Sequence, residues 1–128
     1  MTTWAEVKTY VHNKYKVEDA NEDLMRLLFS LDNGRSQLVY IKHVYNDSAE
    51  WIRIESPIGK AADMNIASAA RIASEKIVGG IIIIGETVFL SNAMPLQNLD
   101  GNEVDEPLGR VTTIADEMER NLVGGDAY

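Results

Sequence analysis

Apolar residues along the chain follow two rhythms, one near every third or fourth position and one near every second, and together these mark out eight elements. Trp4, Val7, Val11 and Tyr15 recur at near-helical spacing, and Thr3 stands three residues ahead of Glu6 in a capping-box pattern. Residues 4–15 therefore read as a helix, and the polar stretch 16–23, KVEDANED, reads as a connection. Leu24–Leu31 and Ser36–Tyr45 are apolar, β-branched and aromatic runs around Asp32-Asn33-Gly34-Arg35. Asn-Gly suits a type I′ hairpin turn because both central residues need positive φ. If Asn33 and Gly34 are the two loop residues, Leu31 faces Ser36, Phe29 faces Leu38 and Leu27 faces Tyr40. A turn at Asn46-Asp47-Ser48 leads into a third strand, Glu50–Ser56, which Pro57 is expected to end because proline has no N–H to donate.

Across 62–77 the rhythm becomes helical again. Ile66, Ala69, Ala70, Ala73 and Ile77 form a narrow face of small residues, and Gly79-Gly80 supplies the stop. Ile81–Ile84, a Gly85-Glu86 turn of the II′ type and Thr87–Ser91 make a second hairpin. Its four isoleucines do not alternate with polar residues, so this strand is expected to be covered on both faces; left exposed, it would be an aggregation hazard. After a loop over 92–101, Val104, Leu108, Val111, Ala115, Met118 and Leu122 describe a last helix over about 103–122. Pro107 must lie in its first turn or kink it. Residues 124–128 read as a flexible tail. The order α-β-β-β-α-β-β-α, with antiparallel hairpins segregated from helices, indicates a two-layer α+β domain covering 1–128.

Length and charge narrow the functions. At 128 residues the chain matches one domain of ~100–150 residues with enough surface to bury a core. Twenty acidic against twelve basic side chains argue against a nucleic-acid or anionic membrane surface, which needs clustered Lys and Arg. The absence of cysteine excludes disulfides, thiolate metal sites and a cysteine nucleophile. The N-terminal MTTWAEVKTY has no export-signal pattern, and the longest apolar run, Ile81–Ile84, falls far short of the ~20 residues of a membrane span, so a cytoplasmic protein is expected.

Candidate chemistry is sparse. His12 and His43 have no metal-motif spacing and read as surface or half-buried histidines. Ser56, in IESPIG, lacks the surroundings of a nucleophile elbow. Gly79, Gly80 and Gly85 lie between a helix and strands, the reverse of a phosphate-binding loop, and Gly59-Lys60 is followed by Ala. Asp100-Gly101-Asn102-Glu103-Val104-Asp105 opens like a calcium loop and then fails at its fifth and sixth positions, so these acids, with Glu106, read as complements to the dipole of the last helix. No cofactor or metal is implied.

What stands out is apolar surplus on the sheet. In the register above, Met25, Leu27, Phe29, Leu31, Leu38 and Tyr40 share one face, and Leu24, Leu28, Val39 and Ile41 the other. Two apolar faces imply either helices on both sides or a face reserved for a partner. Leu27, Phe29, Leu38, Tyr40 and Trp51 are the candidate partner-binding residues. Ile66, Ala69, Ala70 and Ala73 are the candidate dimer interface, because small residues permit close approach, whether to the domain's own sheet or across a symmetric dimer.

The element order resembles that of the class I type III secretion chaperones and, more closely, the YbjN-like proteins, bacterial sensory-transduction regulators that share that fold. The resemblance rests on the strand Trp51-Ile52-Arg53-Ile54-Glu55-Ser56-Pro57, the hairpin closing on Val88-Phe89-Leu90, the following Met94-Pro95-Leu96, and a last helix carrying Ala115-Asp116. The run from Gly80 to Gly85 departs from it by being unusually apolar. It implies a non-enzymatic homodimer that binds extended segments of a protein or peptide client along apolar patches. The alternative is a small-molecule-binding or enzymatic domain, with a pocket between sheet and helices near Trp4 or Trp51 and converging polar groups such as His43, Arg53 and Glu55.

Overall fold

A computed structural model describes residues 2–32, 34–46, 48–76, 79–97 and 99–123. Its helices are α1 (Trp4–Lys14), α2 (Ile66–Glu75) and α3 (Asp105–Leu122). Its strands are β1 (Val17–Asn21), β2 (Leu24–Ser30), β3 (Ser36–Asn46), β4 (Ala49–Lys60), β5 (Gly80–Ile84) and β6 (Thr87–Pro95). They pair antiparallel in one sheet of order β1-β2-β3-β4-β6-β5. The two-layer α+β architecture is as the sequence indicates. Among the described residues no helix is long and apolar enough to cross a membrane.

One strand is additional. β1 lies within the stretch expected to be a connection, and turns into β2 where the Asn21 side chain accepts the Asp23 N–H at 3.0 Å. It forms the sheet edge, so its pairing with β2 requires no run of apolar residues.

The caps and stripes of the helices explain their ends. The Thr3 hydroxyl accepts the Glu6 N–H at 3.2 Å, and α1 buries Trp4, Val7 and Val11. Asn65 does the same for the Ser68 N–H at 2.9 Å, opening α2 four residues later than the pattern 62–77 suggests. Ile77 lies outside the described residues, as do Asn33, Asp47 and the tail 124–128. α3 buries Leu108, Val111, Ile114, Ala115 and Met118 in its apolar stripe.

The β2–β3 register differs by one residue from the Asn-Gly expectation. Leu28 faces Leu38, Phe29 faces Gln37 and Ser30 faces Ser36. The hairpin closes through the Leu31 N–H to the Arg35 carbonyl at 2.8 Å, with Gly34 at φ 80°. Leu31 and Arg35, rather than Asp32 and Arg35, are thus the closing pair, with glycine in the left-handed position. Because side chains alternate, one residue of slip moves every side chain to the opposite face relative to its neighbour strand. Met25, Leu27 and Phe29 therefore sit with Val39 and Ile41, and Leu24 and Leu28 sit with Leu38 and Tyr40.

That register produces a one-sided core. Met25, Leu27, Val39, Ile41, Ile52, Ile54, Val88 and Leu90 share a face and pack with Trp4, Val7 and Val11 of α1, Ala69 and Ala73 of α2, and the α3 stripe. Side chains of this size contribute roughly 1.5–3 kcal/mol each when fully buried. All three helices thus lie on one side, and the choice between a sheet covered twice and a face left open resolves to the open face.

Three expectations about the strands are corrected, the first being that β6 ends at Ser91: it continues to Pro95, through the first four residues of the expected loop. Pro57 does not end β4, which continues to Lys60 through an irregularity between Pro57 and Gly59. The bulge absorbs the missing donor, and the Pro57 carbonyl accepts from Gln37 Nε2 at 2.8 Å. β5 is not covered on both faces: it is the sheet edge opposite β1, with Ile83 52% and Ile84 44% exposed.

Candidate functional site

The uncovered face is built from alternate residues of β2, β3, β4 and β6. Across the sheet run the rows Arg26–Tyr40–Glu55–Ser91 and Leu24–Lys42–Arg53–Ala93, followed by Val44–Trp51–Pro95. Phe89, beside Pro57, meets Tyr40 edge to face with ring centroids 6.2 Å apart. The Lys42 ammonium lies 6.0 Å from the Phe89 ring centroid.

Its centre is ionic. Glu55 is fully buried although no helix among the described residues covers it, and Lys42 and Arg53 of the neighbouring row both contact its carboxylate. Lys42 Nζ contacts Glu55 Oε1, and Arg53 Nε lies 2.8 Å from Oε2. Neither contact is aligned as a hydrogen bond: Arg53 Nε and both Glu55 oxygens have no such partner among the described residues. Trp51 Nε1 and Arg26 Nε, also buried, share that state. The Glu18 carboxylate lies 4.0 Å from Arg26 Nε. Two hollows flank the centre, one of about 240 Å³ lined by Val44, Trp51, Arg53 and Ala93, the other of about 270 Å³ lined by Ala20, Asn21, Leu24, Arg26 and Tyr40.

Of the five partner-binding candidates, Leu38, Tyr40 and Trp51 are on this face. Leu27 and Phe29 are on the other, Leu27 deep in the core and Phe29 half-buried edge to face with Tyr15. The register slip separates them. Arg26, Lys42, Val44 and Phe89 are the members that sequence reasoning did not single out. For Lys42 and Val44 the signal is the alternate-position series Leu38-Tyr40-Lys42-Val44; Arg26 and Phe89 join that face only when the strand register is known. Of the dimer candidates, Ala69 and Ala73 are buried against this chain's own core, Ile66 is half-buried and Ala70 is exposed.

The other polar residues serve elsewhere. His43 is on the helix-covered face while Arg53 and Glu55 are on the open one, so the three do not converge on a pocket. Its ring stacks on Trp4 at 5.2 Å between centroids, 8° from parallel, and meets Tyr45 at 4.5 Å. Nδ1 lies 3.0 Å from Asp23 Oδ1 and Nε2 2.8 Å from Glu50 Oε1. An imidazolium donates to both carboxylates, a neutral ring to one. Desolvation, with Glu50 and Asp23 close by, holds the Tyr45 phenol above its ordinary range. His12, in contrast, is exposed and contacts the Lys8 carbonyl at 2.8 Å.

Ser56 is a structural hydroxyl, donating to the Leu38 carbonyl and accepting from Gln37 Nε2 at 2.8 Å. Asp105 does not act as a side-chain cap of α3. Its carboxylate receives Tyr10 Oη at 2.5 Å, Tyr15 Oη at 2.6 Å and Lys14 Nζ at 2.7 Å, which fastens α1 to α3. Burial works to raise the Asp105 pKa, but these three donors outweigh it and hold it below the ordinary carboxylate value. Burial, then the Asp105 hydrogen bond, pushes the Tyr15 phenol up to about 12. The hydrogen bonds to Asp105 and Tyr10 raise Lys14. Immediately before β3, Arg35 Nε is 2.6 Å from Asp116 and Nη2 3.4 Å from Glu119, both carboxylates buried.

Comparison with protein-family models and with curated proteins finds no match to this chain.

Proposed function

We propose that the chain is a non-enzymatic protein- or peptide-binding module, chaperone-like or regulatory in role, whose binding surface is the open sheet face. One observation carries this reading: Leu38, Tyr40, Val44, Trp51 and Phe89 share a face that no helix among the described residues covers, while the opposite face of the same strands packs against α1, α2 and α3. Aromatic rings with polar groups between them supply contact area at low entropic loss, as binding surfaces do. The resemblance to YbjN-like proteins and type III secretion chaperones points the same way. So does the separation of His43 from Arg53 and Glu55, which removes the converging polar groups on which the small-molecule alternative drew. Self-association is part of the proposal: Ile83 and Ile84 of the edge strand β5, with exposed Ala70 of α2, leave an apolar margin that a second copy would cover.

Affinity capture from the native host is the test, run in parallel with wild type, the double variant Tyr40→Asp/Trp51→Asp and a control changed on the exposed side of α3 at Arg110. Specific partners retained by wild type and control and lost by the double variant are expected. Equal retention by all three would discard the open face as the binding surface. Light scattering on the same preparations gives the dimer mass, and a monomer at every concentration removes the homodimer.

A further inference from the structure

We infer that the hollow bounded by Val44, Trp51, Arg53 and Ala93 is a subsite for a carboxylate carried on an apolar stem, such as an Asp or Glu side chain of a segment lying on the open face. This deepens the open-face reading and rests on it. The walls are apolar: Val44, Ala93 and the Trp51 ring. The polar side chains among its lining residues, Trp51 and Arg53, carry only donors. Trp51 Nε1 is buried without a hydrogen-bond partner among the described residues, and an indole N–H can only donate. Arg53 Nε is in the same state, close to Glu55 but misaligned with it. A buried donor left unmade is costly, so the hollow is complementary to an acceptor.

Charge decides which acceptor. The chain carries eight more acids than bases, yet this face gathers Arg26, Lys42 and Arg53 around Glu55 and the more distant Glu18. Lys42 and Arg53 share a single carboxylate, so a second one entering beside Arg53 meets net positive charge, and an ammonium would meet repulsion. The second hollow, across the sheet, sets Arg26, whose Nε has no hydrogen bond among the described residues, beside Tyr40. A neutral apolar group would fill the space and leave the donors unmade.

The two tryptophans provide the test and its internal control. Trp4 Nε1 already donates to the Glu22 carbonyl at 2.8 Å, whereas Trp51 Nε1 has no hydrogen-bond partner among the described residues. The full chain, labelled with nitrogen-15, is titrated with 3-phenylpropionate, 3-phenylpropanamide and 2-phenylethylammonium while both indole N–H resonances are followed. The carboxylate is expected to move the Trp51 proton downfield in a saturable manner and to leave Trp4 in place, with the amide weaker and the ammonium inert. Arg53→Gln should weaken carboxylate binding by on the order of tenfold, the scale of one charge-assisted hydrogen bond. Should that variant misfold, Trp51→Phe keeps the ring and removes the donor, with the Arg53 Nε–H resonance as readout. A Trp51 resonance that stays put to the solubility limit of the probe, or moves equally with carboxylate and amide, overturns the subsite. Partner loss in the Tyr40→Asp/Trp51→Asp variant would still stand in that case, which separates failure of the subsite from failure of the binding face.

Discussion

The two faces of the sheet are made by the same strands, residue by residue, and differ in almost everything else. In β3, Val39 and Ile41 point into a sealed layer of aliphatic side chains, and their neighbours Leu38, Tyr40 and Lys42 point the other way. In β4, Ile52 and Ile54 are core, while Trp51, Arg53 and Glu55 form an aromatic and ionic surface. The covered face carries aliphatic groups of definite shape, suited to permanent packing. The open face carries rings, cations and unengaged N–H groups, suited to a contact that can be made and broken. The comparison shows that apolar content alone does not identify a core; the kind of apolar residue and the polar groups between them do.

The sharpest way to break the comparison is to place one charge on adjacent residues. Val39→Asp puts a carboxylate in the aliphatic layer and should cost more than about 4 kcal/mol, enough to abolish cooperative unfolding. Leu38→Asp, one residue away, should fold with a stability within about 1 kcal/mol of wild type. Similar losses for the two by chemical denaturation would mean that the faces are not distinct. A smaller effect, about 3 kcal/mol, is expected for Ile54→Ala, which opens a cavity at a fully buried position; a change below about 1 kcal/mol would place the core elsewhere.

Next in size is Asp105→Asn at the α1–α3 junction, expected to cost on the order of 1 kcal/mol at neutral pH, since the site is partly solvated. With its folded pKa depressed, Asp105 contributes stability above the ordinary carboxylate range and loses it as pH falls through the folded value. Tyr15 has the opposite sign: raised from 10.0 to about 12, it contributes below pH 10 and loses that contribution as pH climbs towards 12. The wild-type denaturation midpoint should fall at both limits, and the Asn variant should show a shallower acid limb; an unchanged limb would remove Asp105 from the linkage. Smallest of all in stability is Trp51→Ala, within about 1 kcal/mol, and its expected consequence is lost partner binding with an intact thermal transition. A large fall in stability would instead make Trp51 a core residue.

Helix positions were legible because a helix declares itself locally. Thr3 and Glu6, the α1 stripe and the spacing from Val104 to Leu122 lie within a few residues of one another, and the structure follows them. The candidate site was half legible. Leu38, Tyr40 and Trp51 belong to the open face, but Leu27 and Phe29 were joined to them through an assumed two-residue turn. β1 escaped notice because an edge strand is held by backbone bonds to β2, not by apolar side chains of its own. The extension of β4 past Pro57 depends on a bulge and on Gln37 from the neighbouring strand, neither visible locally.

By itself, then, the sequence determined the α+β class, the helices, the hairpin pairs and the apolar surplus of β2, β3 and β4, all properties of neighbouring residues. Tertiary structure alone decided which half of that surplus became core. Alternation in a strand defines two faces without saying which is which, and only the docking of α1, α2 and α3 on one side distinguishes them. The same docking left Leu38, Tyr40, Trp51 and Phe89 on the uncovered side, the feature on which the proposed binding role depends.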